Sequence, residues 1–306
     1  MANTSQSSLA IISAILGNLA IAISKFTASF FTSSAAMFAE GIHSLVDTGN
    51  GILLLVGIRK SQRPPDHEHP FGYGKEIYFW TLVVSILIFA LGGGISIYEG
   101  LIHLFTPRPL GDPFWNYIVL AIAFAFEFSV LIIALKEFNR FRKPGQSIFQ
   151  AIKQSKDPSL FTVLFEDAAA TVGIVIAFLG VWMGQLFQNL YMDGLASLLI
   201  GIILCLVAFF LAVETKSLLI GESADPDMVA KIRDILEKIP YSAGASNILT
   251  MHFGPQYILV NVDLRFREGT TADQMIACID QVERQLLKEF PQVKKVFVEA
   301  DSLVSV

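Results

Sequence analysis

Six long apolar stretches constrain the fold of this chain more than any other feature of its sequence. They lie near residues 9–31, 36–58, 77–104, 114–137, 160–184 and 191–213. Crossing the hydrocarbon core of a bilayer takes about 20 residues of α-helix, so each stretch is long enough to span a membrane. Only 16% of the residues are charged, well below the ~25% of soluble domains. We therefore predict six membrane-spanning helices.

Positive charge between the stretches predicts the orientation of the chain. The connections after the second and fourth stretches carry Arg59, Lys60, Arg63, Lys75, Lys136, Arg140, Arg142, Lys143, Lys153 and Lys156. The other connections between stretches carry Arg108 alone. By the positive-inside rule we expect both termini on the cytoplasmic side, or on the equivalent side of an organelle membrane. The first residues lack the pattern of a secretory signal peptide, so we expect the first stretch to remain as a span.

From about residue 222 the composition changes to that of a soluble α/β domain. The predicted elements are a helix from Asp225-Pro226 to Pro240, strands at 247–253 and 257–266, a helix near 271–290 and a strand at 293–299. We expect an all-α six-helix transmembrane bundle over residues 1–215. An α+β domain with its helices on one sheet face should follow over residues 216–306. The exposed sheet face or edge is a candidate dimerisation surface.

A polar stripe interrupts the second apolar stretch. Glu40, His43, Asp47 and Asn50 are three or four residues apart, so an α-helix carries them on one face. Each such group costs free energy inside a bilayer unless it faces a cavity, a partner or an ion. The stripe therefore indicates either a membrane site for a divalent cation or polar contacts that hold helices together.

The fifth stretch carries a second polar group, Glu166-Asp167, followed by small residues that permit close helix approach. Two helices would then supply His43, Asp47 and Asp167 to one site. Imidazole and carboxylate groups suit a divalent metal such as zinc, with water or another side chain in a fourth position.

Lys25 and Glu127 are further charged residues within the apolar stretches. We expect Lys25 in the first stretch to pair with an acid. Glu127 in the fourth stretch could line a cavity or pack against another helix.

Several function classes find no support in the sequence. The net charge is -5 with no long basic run, so nucleic-acid binding is not expected. Cys205 and Cys278 lie far apart and offer neither a disulfide framework nor a CxxC metal site. No nucleophile with an adjacent base and no phosphate-cradling glycine loop stands out, so we expect neither an enzyme nor a resident cofactor.

The six spans, the soluble domain and the residues His43, Asp47 and Asp167 resemble the cation diffusion facilitator family over nearly the whole chain. Members are similar in having a metal site made by the second and fifth spans and a cytoplasmic ferredoxin-like domain. The usual pattern is His or Asp, then Asp four residues later, in the second span, and His, then Asp four residues later, in the fifth. His43 and Asp47 match the first pair, and Asp167 matches the second half of the other.

Val163 departs from this pattern, because it stands where the histidine of the fifth span is expected and cannot bind a metal. The sequence Leu164-Phe165-Glu166-Asp167 resembles the branch of the family related to the mitochondrial zinc transporter of animals, which also has Glu-Asp at this position. Glu166 is the candidate replacement ligand. It is adjacent to Asp167 and is therefore turned about 100° from it around the helix, so it does not simply fill the gap left at position 163. A packing or proton-relay role for Glu166 is the alternative.

The loop from Asp66 to Lys75 is a second candidate metal site. In the family this loop often carries an auxiliary site of Asp and His residues. Asp66 and His69 match it, whereas Tyr73 stands where a second His is frequent. A solvated loop without a metal is the alternative. The soluble domain has one histidine, His252, so we expect it to dimerise with little or no metal sensing.

The resemblance implies a homodimeric, proton-coupled antiporter in a lipid bilayer that exports divalent cations, with zinc as the leading substrate. Loss of the fifth-span histidine makes the site harder and shifts its preference toward iron(II), manganese or cobalt. The alternative from another class is a non-transporting membrane scaffold whose soluble domain binds a partner.

Overall fold

The computed structural model describes residues 2–109, 111–142, 145–147, 150–151 and 155–304, with the side chains of residues 2–14 and 141 left out of that description. Lys143 and Lys153, two of the charges that predict the orientation, lie outside the described residues.

The membrane part consists of long helices that account for all six predicted spans. They are α1 (Ala2–Thr32), α2 (Ala35–Ser61), α3 (Glu76–Leu87), α4 (Ile95–Phe105), α5 (Phe114–Phe141), α6 (Pro158–Leu186) and α7 (Tyr191–Ile220). A π-helical segment, Ile88–Gly94, joins α3 to α4, so that these helices form one span over Glu76–Phe105. Six helices in the described part of the chain are long and apolar enough to cross a membrane. The prediction of six spans is confirmed.

Asp193, in the first turn of α7, fixes the start of the helix that carries the polar stripe. Its carboxylate accepts hydrogen bonds from the Ser34 hydroxyl at 2.5 Å and from the backbone N–H groups of Ala35 and Ala36. The first N–H groups of a helix have no intrahelical partner, and a carboxylate there satisfies them and complements the helix dipole. Asp193 therefore caps α2 from a different span.

The C-terminal part has the predicted helix, strand, strand, helix, strand order. Its elements are α8 (Pro226–Lys238), β1 (Ser242–Gly254), β2 (Tyr257–Arg267), α9 (Ala272–Glu289) and β3 (Val293–Val304). The sheet order is β1-β2-β3, with β1 antiparallel and β3 parallel to β2. Strand β1 begins at Ser242 rather than 247, and β3 ends at Val304 rather than 299. The predicted α+β fold is confirmed.

Strand β2 forms the centre of the core. Its alternate residues are all buried, and they are Ile258, Val260, Val262, Leu264 and Phe266. Both helices cover them with their apolar faces, which include Ile232 and Leu236 of α8 and Val282 and Leu286 of α9. A strand points successive side chains to opposite faces, so this alternation places one full face of β2 in the core.

The described chain divides into two compact units. The first runs to Arg59 and resumes over Phe79–Thr215, and the second comprises Lys60–Tyr78 and Lys216–Val306. The sequence did not predict that the connection after α2 packs with the C-terminal unit. The domain bounds 1–215 and 216–306 stay a prediction.

Aromatic contacts hold this connection within the second unit. The Phe71 ring lies 5.1 Å from the Phe253 ring and 6.4 Å from that of Phe297, measured between centroids. Lys75 Nζ lies 5.0 Å from the centroid of the Phe253 ring and donates a hydrogen bond of 3.3 Å to the Leu219 carbonyl oxygen. The loop is thus packed against β1 and β3.

Candidate metal site

The buried face of α2 presents His43 and Asp47 as a pair. Their side chains are 2% and 9% exposed, and His43 Nδ1 lies 3.6 Å from Asp47 Oδ1. Neither nitrogen of His43 nor Asp47 Oδ1 has a hydrogen-bond partner among the described residues. Buried polar atoms are nearly always paired, so these atoms mark a place where a further group belongs.

Acidic side chains from two other helices lie near Asp47. Helix α6 brings Glu166 and Asp167, and α5 brings Glu127, which is buried. The charges of Glu166, Glu127 and Asp167 all act on Asp47. Asp167 Oδ2 and Glu127 Oε1 also lack hydrogen-bond partners in the described part of the chain. The structure therefore brings Asp167 into the neighbourhood of Asp47 and adds Glu127 to it.

Glu127 is the functional candidate that the sequence did not place in the site. Its only sequence signal is a single acid within an apolar stretch, which does not say which helix it faces. The charge of Glu127 also acts on Asp167. Helices α5 and α6 are packed neighbours, and Glu127 is buried.

These side chains do not form a closed ligand set. In the ranges that the structure describes, no three His, Cys, Asp or Glu side chains are arranged to hold a metal ion. His43 and Asp47 are brought together, whereas Asp167 is near them without completing a three-ligand geometry. The ligand set His43, Asp47 and Asp167 stays a prediction.

Lys25 of α1 lies beside the same helix face. Its Nζ is 2.7 Å from Glu40 Oε2 and donates a second hydrogen bond of 2.9 Å to Ser44 Oγ. This pairing confirms the structural role that was predicted for Lys25. On the other side of Glu40, the backbone of Gly173 in α6 lies so close that a Cβ there would clash with Glu40 Oε1. Lys25 thus occupies Glu40 Oε2, whereas Glu40 Oε1 lies against Gly173 without a hydrogen-bond partner among the described residues.

Glu166 is held by Asn50 of the second span. The side-chain amide of Asn50 donates a hydrogen bond of 2.7 Å to Glu166 Oε1, and both side chains are buried. This contact joins α2 to α6 next to Asp47 and Asp167. It places Asn50, at the end of the polar stripe, in direct contact with Glu166 of the fifth span.

The loop candidate is organised around Asp66. The His69 N–H donates to Asp66 Oδ1 at 2.7 Å, and the Tyr73 hydroxyl donates to Asp66 Oδ2 at 2.6 Å. The Tyr73 hydrogen bond is the main reason that the pKa of Asp66 is lowered and that of Tyr73 is raised. His69 Nδ1 lies 3.7 Å from Asp66 Oδ1, and its ring packs on Tyr73 at 4.2 Å between centroids. The Tyr73 hydroxyl thus already occupies Asp66 Oδ2. Metal binding by Asp66 and His69 stays a prediction.

Comparison with known proteins identifies the family. The sequence model of the cation efflux transmembrane domain matches residues 11–220. The chain is 35% identical to the mitochondrial proton-coupled zinc antiporter SLC30A9 of Xenopus laevis over 88% of this chain and 48% of the relative. It is 33% identical to the human SLC30A9 protein over 88% and 47% of the two chains. It is 31% identical to metal tolerance protein C4 of Arabidopsis thaliana, over 76% of this chain and 51% of the relative.

This chain spans about half the length of these three relatives. The family match nevertheless covers more than half of the chain and includes all six spans. It confirms the resemblance drawn from His43, Asp47 and Asp167 and the fold that the resemblance implied. The protein is a multi-pass membrane protein, and it belongs to the cation efflux family.

Proposed function

We propose that this protein is a divalent cation transporter that exports zinc as a proton-coupled antiporter. The observation that carries the proposal is a group of buried polar atoms on His43, Asp47 and Asp167 that have no hydrogen-bond partner in the described part of the chain. Lone polar groups within a membrane span are costly, and they mark ion pathways when they face one another. His43, Asp47 and Asp167 bind the cation in this proposal, and Glu127 adds negative charge beside it.

Protons are the proposed counter-ion because cation and proton compete for the same atoms. A metal binds only to neutral imidazole and to ionised carboxylates, so its binding releases protons. The SLC30A9 relatives are named proton-coupled zinc antiporters, which supports both zinc and protons as the transported ions. The family assignment supports transport over catalysis and over a passive scaffold.

The proposed protein is a homodimer with both termini on the cytoplasmic side, or on the equivalent side of an organelle membrane. The distribution of Lys and Arg supports this orientation. The mitochondrial location in the names of the animal relatives makes an organelle membrane one proposed location.

Zinc flux into vesicles tests the proposed function. The purified chain is reconstituted around a zinc-sensitive dye, and flux is measured with and without an imposed pH gradient. Asp47→Asn and Asp167→Asn keep side-chain size but remove the charge. We expect each to lower zinc flux roughly 100-fold. Loss of a residue that only supports a metal ligand costs about 10–100-fold, and loss of a ligand itself should cost at least as much as the upper end of that range.

Glu137→Gln is the matched control, because Glu137 is an exposed acid of α5 that pairs with Arg140 at 2.8 Å. This variant should transport zinc as the unchanged protein does. A protein that moves no zinc under a proton gradient would contradict the proposal. So would undiminished flux in both Asp47→Asn and Asp167→Asn.

A further inference from the structure

In the hydrogen bond between Asn50 and Glu166, Asn50 is the donor and Glu166 is the acceptor. An ionised carboxylate only accepts hydrogen bonds, so the amide must turn its N–H₂ group toward Glu166. This arrangement agrees with the 2.7 Å bond from Asn50 Nδ2 to Glu166 Oε1. Asn50 Oδ1 then points elsewhere, and it is buried without a hydrogen-bond partner in the described part of the chain.

The buried face of α6 is centred on Glu166 rather than on the position of the missing histidine. Val163 is 37% exposed, whereas Glu166 is 8% exposed and Thr162 is fully buried. Thr162 and Glu166 are four residues apart and therefore lie above one another on the helix. The hydroxyl of Thr162 has no hydrogen-bond partner among the described residues either. The polar pair on the inward face thus lies one residue earlier than the pair 163 and 167 of the family pattern.

Oxygen atoms consequently replace the expected imidazole. Glu166 provides a carboxylate, and the side-chain oxygens of Asn50 and Thr162 have no hydrogen-bond partner among the described residues. Carboxylate and carbonyl oxygens suit harder cations such as manganese(II), whereas imidazole suits zinc. We propose that Asn50 is a positioning residue that fixes Glu166 as the fourth ligand of the transported cation, and that this pair broadens the metal preference toward manganese(II) and iron(II).

The geometry explains why a positioning residue is needed. Glu166 is turned about 100° from Asp167 and about 60° from position 163 around the helix, so its carboxylate must be steered toward Asp47. The Asn50 amide occupies one carboxylate oxygen, Oε1, so Oε2 is the oxygen that would bind the cation. Because Asn50 lies three residues after Asp47 on the same helix face, one helix both binds the cation and orients its fourth ligand. Hydrogen bonds of this kind to a metal ligand raise metal affinity by about 10–100-fold.

The inference rests on the proposed transport function and is tested by concentration-dependent flux. Vesicles that contain the full chain are assayed with zinc and with manganese(II), and KM and maximal rate are determined for each. We expect Asn50→Ala to raise KM about 10-fold or more, with a much smaller change in maximal rate. The increase should be larger for manganese(II) than for zinc. Glu166→Gln should raise KM at least as much.

The double variant tests whether the two residues act as one unit. Asn50→Ala combined with Glu166→Gln should be no worse than Glu166→Gln alone, because Asn50 acts only through Glu166. Asn116→Ala is the matched control. Asn116 is another fully buried intramembrane asparagine, and it accepts a 2.9 Å hydrogen bond from the Thr32 hydroxyl. Its replacement should leave KM for both metals unchanged.

Cobalt(II) provides a readout that is independent of transport. Its visible absorption reports the number and geometry of its ligands, so Glu166→Gln and Asn50→Ala should both change the spectrum of the cobalt-loaded protein. Asn116→Ala should leave it unchanged.

Two results would overturn the role of the pair while the transport function stands. One is an unchanged KM in Asn50→Ala or Glu166→Gln when zinc flux still depends on Asp47. The other is a rise in KM in Asn116→Ala as large as that in Asn50→Ala. A protein that transports no cation, or does so without Asp47, overturns the proposed function and this inference together.

Discussion

Lys25 and Glu40 form an ion pair of 2.7 Å in which both side chains are 0% exposed. The pair joins α1 to α2 three residues before His43. Removing charges from water costs several kilocalories per mole for each ion, which their attraction offsets only when the geometry is good. The Ser44 hydroxyl accepts a further hydrogen bond from Lys25 and improves that geometry.

Removing only one charge of this ion pair should destabilise the protein more than replacing both residues with apolar ones. Lys25→Met leaves Glu40 buried without its cation and should lower the free energy of unfolding by about 3–5 kcal/mol. The combination of Lys25→Met and Glu40→Met should be close to neutral, because no charge is left unpaired. Thermal unfolding in detergent measures both variants. Equal losses in the single and double variants would contradict a structural role for the pair.

Asp193 should stabilise α2 as a cap supplied from another helix. Asp193→Ala removes the acceptor of the Ala35 and Ala36 N–H groups. We expect a loss of about 0.5–2 kcal/mol, the usual cost of removing a helix cap. Hydrogen exchange of the Ala35 and Ala36 amides checks the cause, since these amides should exchange faster than those in the middle of α2. Unchanged protection of both amides would contradict the capping role.

The Asp66 hydrogen bonds should order the loop at neutral pH and fail in acid. Because the pKa of Asp66 is lowered, its contribution is present above the ordinary carboxyl range of about 4 and is lost as pH falls through the lowered value. The His69 amide, which donates to Asp66 Oδ1, reports this through hydrogen exchange corrected for the intrinsic rate.

Tyr73→Phe removes the main cause of the lowered Asp66 pKa. In this variant, protection of the His69 amide should be lost at a higher pH than in the unchanged protein. Tyr241→Phe, which changes an exposed tyrosine outside this loop, is the control. An identical pH profile in Tyr73→Phe and in the unchanged protein would contradict the role of that hydrogen bond.

Gly74 should be required for the packing of the loop within the second unit. A Cβ at this position would clash with the carbonyl oxygen of Phe253 in β1, which is rigid backbone. Gly74→Ala should therefore release residues 60–78 to proteolysis and weaken the unit by about 1–3 kcal/mol, as overpacking does. Gly49→Ala places a methyl group at a helical position of α2 where nothing lies within 4 Å, and it is the control for nonspecific proteolysis. A loop equally resistant to protease in Gly74→Ala would contradict the close contact.

Local signals made much of this fold predictable. The alternation along β2 encodes which face is buried, and the residues Val260 and Val262 on that face are fully enclosed. Asp225 followed by Pro226 predicts the start of α8, where Asp225 accepts a hydrogen bond from the Asp227 N–H. His43 and Asp47 were predictable as a pair because both lie on one helix at a spacing of four.

Contacts between helices were not predictable from one sequence. Asn50 and Glu166 are 116 residues apart, and the Asp193 cap reaches Ala35 across 158 residues. Helix periodicity gives the face on which each residue lies but not the neighbour toward which that face turns. For the same reason, Glu127 could be identified as an intramembrane acid but not as a neighbour of Asp47 and Asp167.

X-ray absorption at the zinc edge tests most directly whether His43, Asp47 and Asp167 bind the cation. The full chain is loaded with one equivalent of zinc. We predict one imidazole nitrogen at about 2.0–2.1 Å with oxygen atoms as the remaining ligands. The nitrogen signal should disappear in His43→Ala and persist in His69→Ala. A spectrum with sulfur or several imidazoles, or one that His43→Ala leaves unchanged, would contradict the proposed site.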